Sequence, residues 1–308
     1  MIGRSRARSS PRIDLMAELR RVWNDFWFRP ESPLNLAVAR LLLVVSALWV
    51  VLSRPDLPSI LDFPATMWLW VSPERHIRFL LLFNVGTERV LWYALHVALI
   101  LTLVGLATRW MALASGLLLY HFAPLESIFR SPNPYLLGFT TPCVGLILVA
   151  VSASGGAFRH NSRESAWQHR WPVAGVQFLL CAMYFFAGYS KLFATGLAWL
   201  EPRNIRNTIL VIDQALGFTA RPSLGLWIAD HPLLCGMISV TGLIFELIFP
   251  LVLISRRARS VLVPLAFLFH VLNAVVFRIY FQSILLLLVF IDWQPLLAKR
   301  TMATASTR

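Results

Sequence analysis

Residues 34–53 read LNLAVARLLLVVSALWVVLS, a twenty-residue stretch in which Arg40 is the only charged residue. A helix needs about 20 apolar residues to cross the hydrocarbon core of a bilayer. The stretch therefore predicts a transmembrane helix, and it decides the fold because similar apolar runs follow it along the chain. Further candidate spans lie at 89–107, 110–129, 135–152, 171–193, 233–254, 261–277 and 279–292. We predict an all-α polytopic bundle of eight spans, or seven if the short last run continues the one before it.

The composition excludes the common soluble classes. The chain has 308 residues, of which 57% are hydrophobic and 14% are charged, with a net charge of +13. Soluble domains carry about 25% charged residues, and disordered chains are polar and poor in aromatic residues. A basic excess can indicate nucleic-acid binding, but apolar runs of this length favour membrane topology as its cause, so no nucleic-acid partner is expected.

The basic residues predict the orientation of the spans, because cytoplasmic loops carry an excess of Lys and Arg. With the N-terminus inside, 17 of the 28 basic residues are cytoplasmic, nine are external, and Arg40 and Lys191 fall within spans. Both termini are thus predicted to be cytoplasmic. The chain divides into a basic amphipathic segment (1–29), a transmembrane domain (30–293) and a short cytoplasmic tail (294–308).

Three segments outside the spans have the pattern of interfacial amphipathic helices, which pack against membrane lipids. They are the aromatic and basic residues 20–28 on the inner side and the two long outer connections, 54–88 and 194–232. Membrane anchoring is the simpler interpretation of all three. The alternative is that the two outer segments cover a cavity.

Ionisable residues inside spans are costly and are functional candidates by default. The candidates are Arg40, His96, His121, Glu126, Lys191, Glu246 and His270. Arg40 and Glu246 both fall towards the inner half of their spans, which predicts a structural ion pair between them.

Lys191 ends the run Tyr-Phe-Phe-Ala-Gly-Tyr-Ser-Lys at the outer end of the fifth predicted span, and the chain contains only one other lysine. Helical spacing places Tyr184, Ala187, Gly188 and Lys191 on one face, where the small residues allow close approach of a helix or ligand. A lysine near an interface often only extends its amine to water. In apolar surroundings, however, an amine can serve as a base, which a guanidinium cannot.

His270 and Asn273 lie one helical turn apart. With His96, His121 and Glu126 at similar predicted depth, they predict a polar pocket that opens outward. The cysteines Cys143, Cys181 and Cys235 are far apart and suit neither a disulfide framework nor a metal site, and no metal is expected.

Four motifs carry a family resemblance. They are Ser32-Pro33-Leu34 before the span with Arg40, the run that ends at Lys191-Leu192, the Phe-Glu-Leu around Glu246, and Phe-His-Val-Leu-Asn-Ala-Val-Val-Phe from Phe269. Together they resemble the HTTM family, the bacterial relatives of the membrane part of vitamin K-dependent gamma-carboxylase. The resemblance covers most of residues 30–293 and implies a bacterial inner-membrane protein.

The resemblance also implies chemistry. In the carboxylase, a lysine that matches Lys191 deprotonates vitamin K hydroquinone, so the resemblance implies an isoprenoid quinol (menaquinol or vitamin K-like), with Lys191 and His270 as catalytic residues. Tyr184, Asn273, His96, His121 and Glu126 would line the quinone site. A peptide substrate or a separately encoded soluble partner is implied as well. The alternative is a non-catalytic membrane protein: a binding protein, an immunity factor or a partner subunit.

Overall fold

The computed structural model describes residues 15–55, 57–62, 85–123, 125, 136–152, 165–215 and 223–295. These residues are almost all helical and include no strand, which confirms the all-α prediction. The α-helices are α1 (Leu15–Phe28), α2 (Pro33–Leu52), α3 (Val85–Val104), α4 (Thr108–Phe122), α5 (Leu136–Val151), α6 (Trp167–Thr195), α7 (Pro202–Ala215), α8 (Leu224–Ala229), α9 (Pro232–Ile248), α10 (Leu251–Ile254) and α11 (Arg256–Val276). Short 3₁₀ helices occupy Leu57–Asp62, Gly196–Leu200 and Gln282–Phe290.

Five helical segments of the described chain are long and apolar enough to cross a membrane. They are Pro33–Leu52, Gly86–Val104, Trp167–Leu200, Pro232–Ile254 and Arg256–Val276. The other three predicted spans are shorter: α4 has 15 residues, α5 has 16, and the last is a nine-residue 3₁₀ helix. The polytopic bundle is therefore confirmed, and five of the eight predicted spans reach full length.

Local sequence sets the helix boundaries. The Ser32 side chain accepts a hydrogen bond from the Leu34 N–H at 3.3 Å, and Pro33 begins α2. Ser255 begins α11 in the same way, accepting from the Ala258 N–H at 3.2 Å. Serine side chains satisfy N–H groups that the first helical turn leaves without a partner, so both helices begin at defined residues.

Small residues let the helices approach closely, as is common where no water drives helix association. A side chain at Gly145 of α5 would overlap Leu43 of α2, and one at Gly175 of α6 would overlap Leu148 of α5. Leu43 itself is fully buried. The packed centre of the bundle thus depends on glycine at these crossings.

A polar cluster anchors α1 to the bundle, and we call it the Arg170 network. It consists of the buried residues Glu31, Asn35, Arg170 and Gln177 and the exposed Asp292. Arg170 is 1% exposed, and each of its three guanidinium nitrogens donates a hydrogen bond. Nε donates to the Phe26 carbonyl at 2.7 Å, Nη1 to Glu31 at 3.0 Å and Nη2 to Gln177 at 3.1 Å. The sequence predicted Arg170 only as a loop charge.

The same network reaches the end of the described chain. The Asn35 amide donates to Glu31 at 2.7 Å and to Asp292 at 3.1 Å. Its side-chain oxygen accepts from the Trp293 N–H at 3.0 Å, and Gln177 donates to the Val289 carbonyl at 2.7 Å. Helices α1, α2 and α6 and the C-terminal 3₁₀ helix are therefore held together at one end of the bundle.

The predicted amphipathic segments are helical where the structure describes them. Residues 20–28 form the second half of α1, and 194–232 contain α7 and α8. Ile205 and Ile209 of α7 pack with Ile228, Cys235 and Val276 in a separate apolar cluster. This outer segment therefore covers the adjoining ends of α9 and α11. Most of the other outer segment, 63–84, lies outside the described residues.

Candidate functional site

A cavity of about 260 Å³ lies between α6, α9, α11 and the segment 279–283. Its walls are mainly apolar, and polar side chains lie among them. We call it the lysine cavity, and the residues that line it are Leu180, Met183, Tyr184, Ala187, Lys191, Glu246, Phe269, His270, Asn273, Ile279, Tyr280, Phe281, Gln282 and Ser283. Ligand sites commonly combine apolar walls with a few polar groups in this way.

Helix α6 contributes the face that the sequence predicted. Tyr184, Ala187 and Lys191 all line the lysine cavity, because residues three and four apart share one side of a helix. Gly188 lies beside them against α9, where an added Cβ would meet Glu246 Cβ and a Leu247 carbon at 3.1 Å each. The predicted close approach at this glycine is confirmed, and it brings the Glu246 backbone to Lys191.

Lys191 and Glu246 form an ion pair at the cavity wall. The Lys191 ammonium donates to both carboxylate oxygens of Glu246. The Lys191 side chain is 27% exposed, whereas that of Glu246 is 6% exposed. The lysine is thus the accessible member of the pair, and the glutamate lies behind it.

The outer segment covers this pair. The Lys191 Nζ lies 5.4 Å from the centre of the Trp199 ring, which belongs to the 3₁₀ helix Gly196–Leu200. Ser239 of α9 donates to the Trp199 carbonyl at 2.7 Å and fixes this position. A cation over an indole face is a favourable contact. This arrangement supports the interpretation of 194–232 as a cover over a cavity.

Tyr184 and His270 form a second polar pair in the lysine cavity. The Tyr184 hydroxyl and His270 Nε2 are 2.6 Å apart, and both residues are buried. His270 Nδ1 has no hydrogen-bond partner among the described residues. In a neutral imidazole one ring nitrogen donates and the other accepts. Nδ1 is therefore a free donor or a free acceptor, depending on which nitrogen carries the proton.

Asn273 lines the cavity one turn beyond His270. Its side-chain amide donates to the Phe269 carbonyl of the same helix at 2.8 Å. This bond orients the amide group, and the side-chain oxygen accepts no hydrogen bond from the described part of the chain. His270 and Asn273 therefore both offer unused hydrogen-bonding atoms at one cavity wall.

The predicted Arg40–Glu246 ion pair is wrong. Arg40 is 2% exposed and points to the turn between α3 and α4, where Nη1 contacts the Thr108 hydroxyl at 3.5 Å. Glu246 instead pairs with Lys191. The prediction placed both residues in the inner halves of their spans, but predicted depth alone does not show which helices are neighbours.

His96 and His121 do not line the lysine cavity, so the prediction of one shared pocket is wrong for them. His121 Nε2 lies 2.8 Å from a carboxylate oxygen of Glu88, and His96 Nδ1 lies 2.7 Å from the Trp92 carbonyl. Both belong to α3 and α4, which pack together away from α11. Glu126 lies outside the described residues.

Glu88, Glu31 and Asp213 are buried carboxylates that sequence reasoning missed. Glu88 was placed in an outer loop, but it lies in the first turn of α3 and is fully buried. Its position one turn before Trp92 could have assigned it to that helix. Glu31 precedes the Ser-Pro start of α2 and gives no comparable signal, because only the fold brings Arg170 to it.

The three cysteines are free and buried. Within the described residues, no group of three or more His, Cys, Asp or Glu side chains could hold a metal ion. The ionisable groups that line the lysine cavity are the Lys191–Glu246 ion pair, the Tyr184–His270 pair and Tyr280.

The helices and the cavity define an integral membrane protein with a lysine–carboxylate site between its spans. A sequence profile of the HTTM domain matches residues 28–293, nearly the whole chain. The chain therefore belongs to the HTTM domain family, membrane proteins related to the gamma-carboxylase. No curated protein and no solved structure gives a significant match.

Proposed function

We propose that the protein binds a lipid quinol in the lysine cavity and removes a proton from it. The observation that carries the proposal is the Lys191–Glu246 pair, which lies in the wall of a mainly apolar cavity together with a histidine nitrogen that no described residue satisfies. A quinol of the menaquinol or vitamin K type has an apolar ring system and two hydroxyl groups. When bound, it would supply those hydroxyls and two electrons for a suitable oxidant such as oxygen.

The residues of the cavity fit such a head group. Leu180, Phe269 and Phe281 offer apolar surface for a ring. Lys191 and His270 offer hydrogen-bonding atoms on helices α6 and α11, and His270 Nδ1 has no protein partner in the described chain. We assign one quinol oxygen to Lys191 Nζ and the other to His270 Nδ1. Tyr184 holds the imidazole through its hydrogen bond to Nε2.

Lys191 is the proposed base, and Glu246 lets it accept a proton although it is already hydrogen-bonded to a carboxylate. Lys191 Nζ first passes one ammonium proton to the Glu246 carboxylate, which leaves a neutral amine with a lone pair. That amine then takes the hydroxyl proton of the quinol. One proton has then moved from the quinol to the pair, Lys191 is an ammonium again, and Glu246 is a neutral acid. Lys191 Nζ is the contact atom, and the buried Glu246 carboxylate holds the transferred proton.

The orientation is part of the proposal. The exposed arginines of α1, Arg20 and Arg21, lie at the same end of the bundle as the Arg170 network. Under the positive-inside rule this end faces the cytoplasm of a bacterial inner membrane. The lysine cavity lies towards the other end, where a peptide substrate or a separately encoded soluble partner would approach from outside.

Quinol turnover by the full chain in lipid nanodiscs tests the proposal. Oxygen-dependent loss of phylloquinol absorbance is expected for the wild type. Lys191→Arg keeps the charge but cannot relay a proton, and Glu246→Gln removes the final acceptor. Both variants should lower the rate roughly hundredfold or more, as loss of a positioned acid or base does.

Glu201→Gln is the matched control, since Glu201 is an exposed glutamate of the same outer segment, where it pairs with Arg203. It should keep the wild-type rate. Wild-type turnover by Lys191→Arg would contradict the role of Lys191. Retention of quinone without any turnover would favour the non-catalytic binding protein.

A further inference from the structure

A second cavity of about 630 Å³ lies at the end of the bundle where α1 ends, α4 begins, α5 ends and α6 begins. Half of the residues in its wall are aromatic and one is an arginine, and we call it the aromatic cavity. The residues that matter for its chemistry are Trp27, Arg109, Trp167, Gln168 and Trp171. Tryptophan side chains concentrate at the boundary between hydrocarbon and water, so this cavity has the setting of a lipid head group.

Two buried polar atoms in this wall have no hydrogen-bond partner among the described residues. One is the Trp27 indole nitrogen, which is a donor, and the other is the Gln168 side-chain oxygen, which is an acceptor. A buried polar atom without a partner destabilises the folded protein. Their presence in one cavity wall indicates a ligand that accepts one hydrogen bond and donates another.

The positive charge of Arg109 in the cavity wall favours an anionic ligand. Arg109 follows the first residue of α4, is exposed, and lies in the wall together with Trp27 and Gln168. A guanidinium and an indole N–H together favour phosphate oxygens. The Gln168 oxygen needs a donor, which a glycerol head group provides through its hydroxyls and a choline head group lacks.

We propose that the aromatic cavity binds one anionic phospholipid with a hydroxyl-bearing head group, of the phosphatidylglycerol type. Arg109 and the Trp27 indole contact the phosphate, and the head-group hydroxyl donates to Gln168. Trp167 and Trp171 contact the glycerol and the first acyl carbons. The lipid thereby joins α1 to α4 and α6 at the membrane surface.

Native mass spectrometry of the full chain, exchanged into equal amounts of phosphatidylglycerol and phosphatidylcholine, tests the site. One phosphatidylglycerol should be retained per chain. Trp27→Phe keeps an aromatic ring and removes the N–H donor. It should reduce retention roughly tenfold or more, because one hydrogen bond to a charged phosphate is lost. Arg109→Gln, at an exposed position, should reduce retention at least as much.

Trp23→Phe is the matched control, because Trp23 lies one turn earlier on α1, is exposed and does not line the cavity. It should retain phosphatidylglycerol as the wild type does. Equal retention of the two lipids by the wild type would overturn the proposal, as would unchanged retention in both Trp27→Phe and Arg109→Gln. Displacement by excess soluble glycerol 3-phosphate would also overturn it, because a membrane lipid would then not be required.

Discussion

The Arg170 network and the lysine cavity each contain a cation beside a buried glutamate, but the exposure and hydrogen bonding of the two cations differ. Every guanidinium nitrogen of Arg170 donates to a protein acceptor, and the side chain is almost fully buried. Lys191 contacts a single carboxylate, is partly accessible, and shares its cavity with an imidazole nitrogen that has no described partner. The hydrogen-bonding groups of Arg170 all have partners within the protein, whereas the lysine cavity contains a histidine nitrogen without one among the described residues.

This difference in hydrogen bonding indicates that the charged residues of the two clusters have different roles, one structural and one functional. A network with all donors and acceptors satisfied can hold four segments together but has no atom left for a ligand. Unsatisfied buried polar atoms are costly and persist where something else can bind. The comparison therefore assigns the Arg170 network to stability and the lysine cavity to binding and chemistry.

Removing the cation of the structural cluster should have the largest effect on stability. Arg170→Met leaves the buried Glu31 carboxylate with only the half-exposed Arg29, 4.0 Å away, as a cationic partner. It also removes the hydrogen bonds that the Gln177 side-chain oxygen and the Phe26 carbonyl accept. Breaking a buried pair in this way costs about 3–5 kcal/mol. The midpoint of thermal unfolding of the purified protein should fall clearly. An unchanged midpoint would mean that the network contributes nothing to stability.

Replacing both members of the functional pair should separate stability from activity. Lys191→Met combined with Glu246→Leu exchanges a buried ion pair for apolar side chains, a change that is often neutral or stabilising. We expect the unfolding free energy to stay within about 1 kcal/mol of the wild type, while quinol turnover disappears. Strong destabilisation by this double variant would instead show that the Lys191–Glu246 pair stabilises the fold, as the Arg170 network does.

A smaller effect is expected at Tyr184. Tyr184→Phe removes the hydroxyl that contacts His270 Nε2 and leaves both imidazole nitrogens without a partner in the described chain. Loss of one such bond costs about 1 kcal/mol, so we expect a severalfold rise in the quinol concentration needed for half-maximal turnover. The control is Tyr189→Phe, on the exposed face of α6, which should behave as the wild type. Equal effects of the two variants would exclude a specific role for Tyr184.

The sequence predicted the all-α fold and five of the residues that line the lysine cavity. Apolar runs of bilayer length define helices because the membrane imposes that length, and helical spacing placed Tyr184, Ala187 and Lys191 on one face. His270 and Asn273 were found because a polar residue is conspicuous in an apolar helix. These inferences are local, since each depends on residues within one helix.

The errors concern contacts between helices. Arg40 was paired with Glu246 by depth, and His96 and His121 were grouped with His270 by the same reasoning. Which helices are neighbours depends on packing, such as the approach of Gly188 to Glu246, and not on position along the membrane normal.

The most direct test of the central claim is mass spectrometry of the lipids that copurify with the full chain. The account predicts that an isoprenoid quinone is retained by the wild type and by Ala194→Phe, an exposed position on α6. It should be lost from Ala187→Phe, because the added ring fills the lysine cavity. Absence of quinone from the wild-type protein, or equal retention by Ala187→Phe, would contradict the account.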